Sequence, residues 1–108
     1  MVEGRSDVEA LRSLGIEGSF VVARSSRKPI PDLVLDLQDS CDEVIVLVDF
    51  DAAGREQARR WAEELERAGL KANLAYWRCL KALVGSFTKD IEGLPSFMGT
   101  LKRRLGLI

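Results

Sequence analysis

The sequence VIVLVDFDAAG, at residues 44–54, joins an apolar run to two acidic residues and a glycine. Its first five residues are apolar, mostly β-branched and uninterrupted by polar residues, which predicts a parallel strand buried on both faces. Asp49 and Asp51 follow this strand, and Gly54 begins a helix predicted over residues 54–68. Ligands of open α/β sheets bind beyond the carboxyl ends of the strands. The stretch therefore predicts an α/β fold with a functional site at Asp49 and Asp51.

Further strands and helices are predicted on both sides of this stretch, within a single domain spanning residues 1–108. Residues 2–3 have the character of a strand end, and apolar-rich runs predict strands at residues 19–23 and 72–76. With right-handed crossovers, the alternation of strands and helices predicts a compact three-layer, Rossmann-like α/β domain. Its four-stranded, mainly parallel sheet is expected to have the order 2-1-3-4 and helices on both faces. The predicted helices are one capped by Ser6 and Glu9, then residues 32–38, 54–68 and 77–84, and one from Pro95. The spacing of apolar residues predicts a buried stripe on residues 54–68, formed by Ala58, Trp61, Ala62 and Leu65, and an inward face on the last helix, formed by Phe97, Leu101 and Leu105.

Only two residues precede Glu3, the last residue of the predicted first strand. A strand this short pairs poorly and holds Glu3 loosely, because terminal residues fray. We therefore expect the first strand to be truncated at the N-terminus, or the natural chain to begin upstream of Met1.

The composition excludes several kinds of site. The 108 residues include no histidine, which excludes Ser-His-Asp and Cys-His catalysis and imidazole metal ligands. Cys41 and Cys79 have no CxxC spacing, which favours a reducing cytoplasmic setting. The longest apolar run is too short for a membrane span, so no membrane partner is expected. The net charge of −1 divides into an acidic part, residues 1–70, and a basic part, residues 71–108, so only local attraction to nucleic acid is expected.

Three carboxylates are expected to meet where the first and third strands end. Glu3 and Gly4 end the first strand, and Asp49 and Asp51 end the third. Clustered carboxylates repel one another unless a cation is present, and their oxygens suit Mg²⁺ or Mn²⁺. Gly4 and Gly54 permit close backbone approach and unusual φ and ψ angles, and the helix beginning near Gly54 directs amide groups toward a phosphate. The alternative for either aspartate is an N-terminal helix cap.

Residues 3–7, Glu-Gly-Arg-Ser-Asp, followed at a distance by residues 49–54, resemble the Toprim domain. The likeness is closest to the small stand-alone Toprim proteins of archaea and some bacteria. It implies that Asp49 and Asp51 coordinate Mg²⁺ and that Glu3 is a catalytic acid or base, or is associated with the metal. Larger members of the family, primases among them, break or join phosphodiester bonds. The resemblance thus implies a Mg²⁺-dependent nuclease or RNA-processing protein whose partner is nucleic acid, including structured RNA.

Residues near these motifs are the candidates for binding phosphate or nucleic acid. Arg24, Arg27 and Lys28 follow the second strand and border the same edge of the sheet, where a solvated loop is the alternative. The charged residues within 89–92 could approach the site but are expected on the surface. The full set of candidates is Gly4, Arg5, Arg24, Arg27, Lys28, Gly54 and Arg55.

Other functions remain open at the level of sequence, as do the substrate and the oligomeric state. A non-catalytic module that binds nucleic acid or a ribonucleoprotein on the same scaffold is the main alternative. A haloacid-dehalogenase-type phosphatase also has D-x-D after a strand, but it normally has Thr or Val where Ala53 stands. A response-regulator receiver needs an acidic pair at the end of its first strand, where only Glu3 stands. Tyr76, Trp61 and Trp77 are expected to pack rather than to act on a substrate.

Overall fold

Helices and short strands follow one another in a computed structural model, which describes residues 1–24 and 27–106. The elements in chain order are α1 (Arg5–Ser13), α2 (Ile30–Leu37), β1 (Glu43–Ile45), α3 (Ala52–Arg67), β2 (Lys71–Asn73), α4 (Ala75–Val84) and α5 (Leu94–Arg104). The fold is of the predicted α/β class. None of the helices in the described residues is both long enough and apolar enough to cross a membrane.

Strands β1 and β2 form a parallel sheet in which Val44 lies opposite Ala72. The pairing continues past β1, where Val46 N–H donates to the carbonyl oxygen of Asn73 at 3.0 Å. Val44 and Val46 are buried, whereas Ile45 is 41% exposed. Side chains of a strand alternate between its two faces, and one face of β1 is only partly covered. The prediction that this strand is buried on both faces is therefore wrong at Ile45.

The first three residues lie beside the continuation of β1 as an extended segment. Leu47 N–H donates to the carbonyl of Met1 at 3.0 Å, and Ala23 N–H donates to the carbonyl of Val2 at 3.0 Å. An isolated parallel bridge joins Val2 to Val22. These hydrogen bonds place residues 21–23 beside residues 1–3, and residues 1–3 beside the continuation of β1. Among the described residues, however, the regular strands are β1 and β2, so a four-stranded sheet is not observed.

Helix α1 begins before the capping box predicted for it. Asp7 Oδ2 accepts a hydrogen bond from Gly4 N–H at 3.0 Å, while Ser6 Oγ donates to Glu92 Oε1 at 2.6 Å. The predicted capping box of Ser6 and Glu9 is therefore wrong. Instead, the Asp7 carboxylate accepts the hydrogen bond of the Gly4 amide, which has no partner within the helix, and the helix begins at Arg5.

Helix α4 begins inside the stretch predicted as the fourth strand. Asn73 Oδ1 accepts a hydrogen bond from Ala75 N–H at 3.0 Å, which ends the strand and begins the helix. Tyr76 consequently lies on a helix and is 58% exposed, so the prediction that it packs in a strand is wrong. Leu101 and Leu105, expected to face inward from the last helix, are also exposed.

The core is one cluster of buried side chains to which all five helices and the extended segments contribute. Ala58, Trp61 and Leu65 are buried on α3, as predicted from their spacing, whereas Ala62 of the predicted stripe is only half-buried. Trp77 is buried on α4, also as predicted, and its Nε1–H donates to the carbonyl of Val48 at 3.0 Å. This hydrogen bond ties α4 to the end of the apolar run, just before the acidic pair.

The first prediction concerns the pH dependence of stability that arises from the buried amino group of Met1. This group donates to the carbonyl of Ile45 at 2.6 Å, and burial lowers its pKa from 8.0 to about 6. Between these values the unfolded chain binds more protons than the folded chain. The free energy of unfolding of this chain should therefore rise from about pH 6 to about pH 8, by roughly 2 kcal/mol. Urea unfolding across this pH range measures the effect.

A short apolar segment added before Met1 is the matched variant. It replaces the ammonium group with an amide and can enter the apolar groove of about 400 Å³ that Met1 lines. The extended protein should be more stable below about pH 6 and should lose the pH dependence. Equal stability of the two proteins at every pH would contradict this account of the Met1 amino group.

Candidate functional site

Glu3 and Asp49 reach the same edge of the sheet. A hydrogen bond joins Met1 to Leu47 in two neighbouring segments, and Glu3 and Asp49 follow these residues by two positions each. Burial raises the pKa of Glu3, and the charge of Asp49 raises it further. The sheet therefore brings together two of the three carboxylates that the sequence predicted to meet.

Asp49 is contacted by the segment that precedes α5. Ile91 N–H donates to Asp49 Oδ1 at 3.4 Å, and Phe50 N–H donates to the carbonyl of Lys89 at 2.7 Å. Burial raises the pKa of Asp49, the hydrogen bond from Ile91 opposes this, and neighbouring carboxylates, including Asp90, add to the rise. The charged side chains of this segment are exposed, as predicted, but its backbone forms one wall of the site.

Asp51 caps helix α3. Its Oδ1 accepts a hydrogen bond from Gly54 N–H at 2.7 Å, so the helix-cap alternative holds for Asp51 in this structure. The same bond engages the Gly54 amide, which was expected to point at a phosphate. A Cβ atom at Gly54 would lie 2.0 Å from the carbonyl oxygen of Asp49. The predicted close approach at Gly54 is therefore present, but its backbone is helical and needs no unusual angle.

Asp7 is a member of the acidic site that the sequence analysis missed. It is 6% exposed, and burial raises its pKa. The hydrogen bond from Gly4 N–H lowers this pKa, and the negative charge of Glu92 raises it further. The place of Asp7 three residues after Gly4, at the start of a helix, was the available signal. Gly4 is extended, and a Cβ atom there would meet nothing closer than 3.8 Å, so the close approach and unusual backbone angles predicted at this turn are not present.

Arg24 is the basic candidate that the structure places at the carboxylates. Its Nη2 lies 3.5 Å from Glu3 Oε2, and its side chain is 78% exposed. Lys28 pairs with Asp36 on α2, so its charge is engaged away from Glu3. The candidates that are exposed and whose roles stay predictions are Arg5, Arg27 and Arg55.

The carboxylates form an open acidic edge rather than a closed metal cage. Within residues 1–24 and 27–106, no group of three or more His, Cys, Asp or Glu residues is arranged to hold a metal ion. Asp49 and Asp51 both add to the rise in the pKa of Glu3 that burial begins. The Asp51 carboxylate, however, accepts a hydrogen bond at the start of α3. The three-carboxylate ligand set therefore remains a prediction.

These features define an α/β protein with an acidic site at the carboxyl edge of parallel segments, beside the N-terminus of a helix. A family model described as the Toprim domain matches residues 1–76. The chain belongs to the Toprim family, which confirms the resemblance found in its sequence.

Archaeal UPF0292 proteins are similar to the chain over most of its length. One from Methanocaldococcus jannaschii is 36% identical over 99 residues, which are 91% of this chain and 76% of that protein. One from Pyrococcus horikoshii is 38% identical over 96 residues, or 89% and 70% of the two chains. One from Thermococcus kodakarensis is 34% identical over 103 residues, or 95% and 73%. No solved structure matches the chain.

The capping bond of Asp51 generates the second prediction. Asp51→Asn should leave the free energy of unfolding nearly unchanged, because Asn also accepts a hydrogen bond at a helix start. Asp51→Ala should lower it by about 1 kcal/mol. Urea unfolding in the presence of a chelator measures both, with Asp39→Ala as an exposed acidic control. Equal losses in the two Asp51 variants would contradict the capping role.

The raised pKa of Asp49 generates the third prediction. A carboxylate whose folded pKa exceeds its unfolded pKa lowers stability once the pH is above the unfolded value. Asp49→Asn removes the charge and keeps an oxygen for Ile91 N–H. It should therefore raise the melting temperature at about pH 7 but leave it unchanged at about pH 3. Thermal melts with a chelator test this, and a lower melting temperature at neutral pH would contradict it.

Proposed function

We propose that the protein is a Mg²⁺-dependent enzyme that acts on phosphodiester bonds of nucleic acid. Membership of the Toprim family supports a metal-dependent, nucleic-acid-related role. The observation that carries the proposal is the meeting of Glu3 and Asp49 at one sheet edge, next to Asp51 at the start of α3. In this proposal Asp49 and Asp51 hold the metal, and Glu3 is the acid or base.

The donor chemistry of this edge fits a hard divalent cation. Mg²⁺ binds oxygen ligands and commonly takes only one or two protein carboxylates, retaining waters and using substrate phosphates for the rest. An open acidic edge without a three-residue cage is compatible with that mode. When bound, the metal would offset negative charge on the phosphate and help to orient a nucleophile.

The side chains have separate tasks in the proposed reaction. Glu3 is half-buried next to other carboxylates, an environment that favours its holding a proton and exchanging it with a reacting oxygen. Arg24 lies beside Glu3 and is mostly exposed, so its guanidinium is available to bind a phosphate of the substrate. Asp49 is oriented by the amide of Ile91.

The second candidate function is a non-catalytic module that binds nucleic acid through the same edge. The capping bond from Gly54 to Asp51 favours this candidate, because it gives Asp51 a structural task that needs no metal. The two candidates differ in whether Glu3 takes part in turnover.

The fourth prediction separates the two candidates. The purified protein is incubated with single-stranded, duplex and structured RNA and DNA, with Mg²⁺, with Mn²⁺ and with a chelator. Cleavage should require the metal, and Glu3→Gln should slow it by about 10²–10⁴-fold. Asp49→Asn should abolish the metal dependence together with the activity, and the exposed Glu66→Gln should match the parent.

Binding without cleavage, lowered by Asp49→Asn, would support the module and contradict the enzyme. Cleavage that neither Glu3→Gln nor Asp49→Asn changes would contradict the proposed site. Circular dichroism of each variant shows whether a lost activity comes from a lost fold.

A further inference from the structure

A cleft of about 260 Å³ opens beside the acidic edge, with Ala23, Arg24 and Ile30 on one side and a face of helix α3 on the other. Gln57, Arg60 and Trp61 belong to one face of α3, because residues three and four apart on a helix are neighbours. The cleft is lined mainly by Glu3, Arg24, Ile30, Gln57, Arg60 and Trp61. Glu3 thus belongs both to this cleft and to the acidic edge.

Gln57 brings an unpaired acceptor to the cleft. Its side-chain oxygen Oε1 is buried and has no hydrogen-bond partner among the described residues. Buried polar groups are nearly always hydrogen-bonded, since leaving one unpaired is unfavourable. An apolar residue would fill the same place on α3 without that penalty. A ligand in the cleft that donates a hydrogen bond to Oε1, after a rotation of the Gln57 side chain, would remove it.

Two guanidinium groups border the same cleft. Arg24 comes from the sheet side and is 78% exposed, and Arg60 comes from α3. Arg59, next to Arg60, forms ion pairs with Glu56 and Glu63. In the part of the chain that the structure describes, Arg60 forms no such salt bridge. The cleft therefore offers positive charge to an anionic ligand from two sides.

We propose that this cleft binds one nucleotide unit of the nucleic acid, adjacent to the acidic edge. Arg24 and Arg60 bind its phosphate, and Gln57 Oε1 accepts a hydrogen bond from the ribose 2′-hydroxyl or from the base amino group. Ile30 and Trp61 supply an apolar wall against which the sugar or base can lie. The cleft is smaller than typical ligand pockets, which run from about 300 to about 1,000 Å³, and this favours a single nucleotide over a duplex. The choice of nucleic acid as ligand rests on the proposed function.

The fifth prediction uses free nucleotides and a chelator, so that neither metal nor turnover is needed. Adenosine 5′-monophosphate is titrated into the isotope-labelled protein, and amide chemical shifts are followed by NMR. Shifts should appear at Gln57 and Arg60. Gln57→Met and Arg60→Gln should each weaken binding about tenfold, the loss of roughly one hydrogen bond to a charged or buried group. Arg67→Gln, the same change farther along α3, should bind like the parent.

Two further nucleotides identify the donor. If the donor is the sugar 2′-hydroxyl, 2′-deoxyadenosine 5′-monophosphate should bind the parent more weakly, and Gln57→Met should not discriminate between the two sugars. If the donor is the base amino group, inosine 5′-monophosphate should bind the parent more weakly than adenosine 5′-monophosphate, and Gln57→Met should not discriminate between these two bases. Either pattern supports the proposal. Equal binding of all three nucleotides by the parent would overturn the role of Gln57.

Stability provides an independent readout. Gln57→Met should raise the melting temperature of the free protein while weakening nucleotide binding, a combination that a merely structural glutamine would not produce. A lower melting temperature, or binding unchanged in both Gln57→Met and Arg60→Gln, would overturn the proposal. Because these measurements are made with a chelator and record no cleavage, this cleft can be correct where the proposed enzyme fails, and the reverse.

Discussion

The contact between Gly54 and the carbonyl oxygen of Asp49 is the constraint on which the site depends. The first turn of α3 lies so close to the strand end that any Cβ atom at Gly54 would overlap this oxygen. The contact lies in the same turn as the hydrogen bond from Gly54 N–H to Asp51, whose carboxylate caps the helix. It also sets α3 over the sheet, where Trp61 and Leu65 are buried. One backbone approach therefore connects the packing of the core with the placement of the acidic residues.

The acidic edge concentrates negative charge that folding alone does not require. Burial and neighbouring carboxylates raise the pKa of Glu3, Asp7 and Asp49, and Arg24 only partly offsets this for Glu3 and Asp7. Such an arrangement lowers the stability of a protein at neutral pH. Perturbed carboxylates cluster at functional sites, because binding and catalysis need charge that is held in place before a ligand arrives. Membership of the Toprim family accords with that interpretation.

The sequence pointed to part of the candidate site and missed the rest. Glu3, Asp49 and Asp51 stand in short motifs at strand ends, and a motif can be read without knowing what packs against it. Asp7 and Gln57 look like ordinary polar residues of amphipathic helices. Their burial results from contacts with other parts of the fold, and no local pattern reports such contacts. The wall formed by the segment before α5 was missed for the same reason.

The sequence by itself determined the α/β class, a helix over residues 54–68, which the structure has at Ala52–Arg67, and the burial of most of its apolar stripe. A helix satisfies its hydrogen bonds within one segment, and its buried face repeats every three to four residues, so both can be read locally. Only the tertiary structure decided which extended segments become regular strands, where α4 replaces the predicted strand, and that Tyr76 is exposed. A strand exists through hydrogen bonds to partners far away in the chain, and those partners are chosen by the packing of the whole molecule.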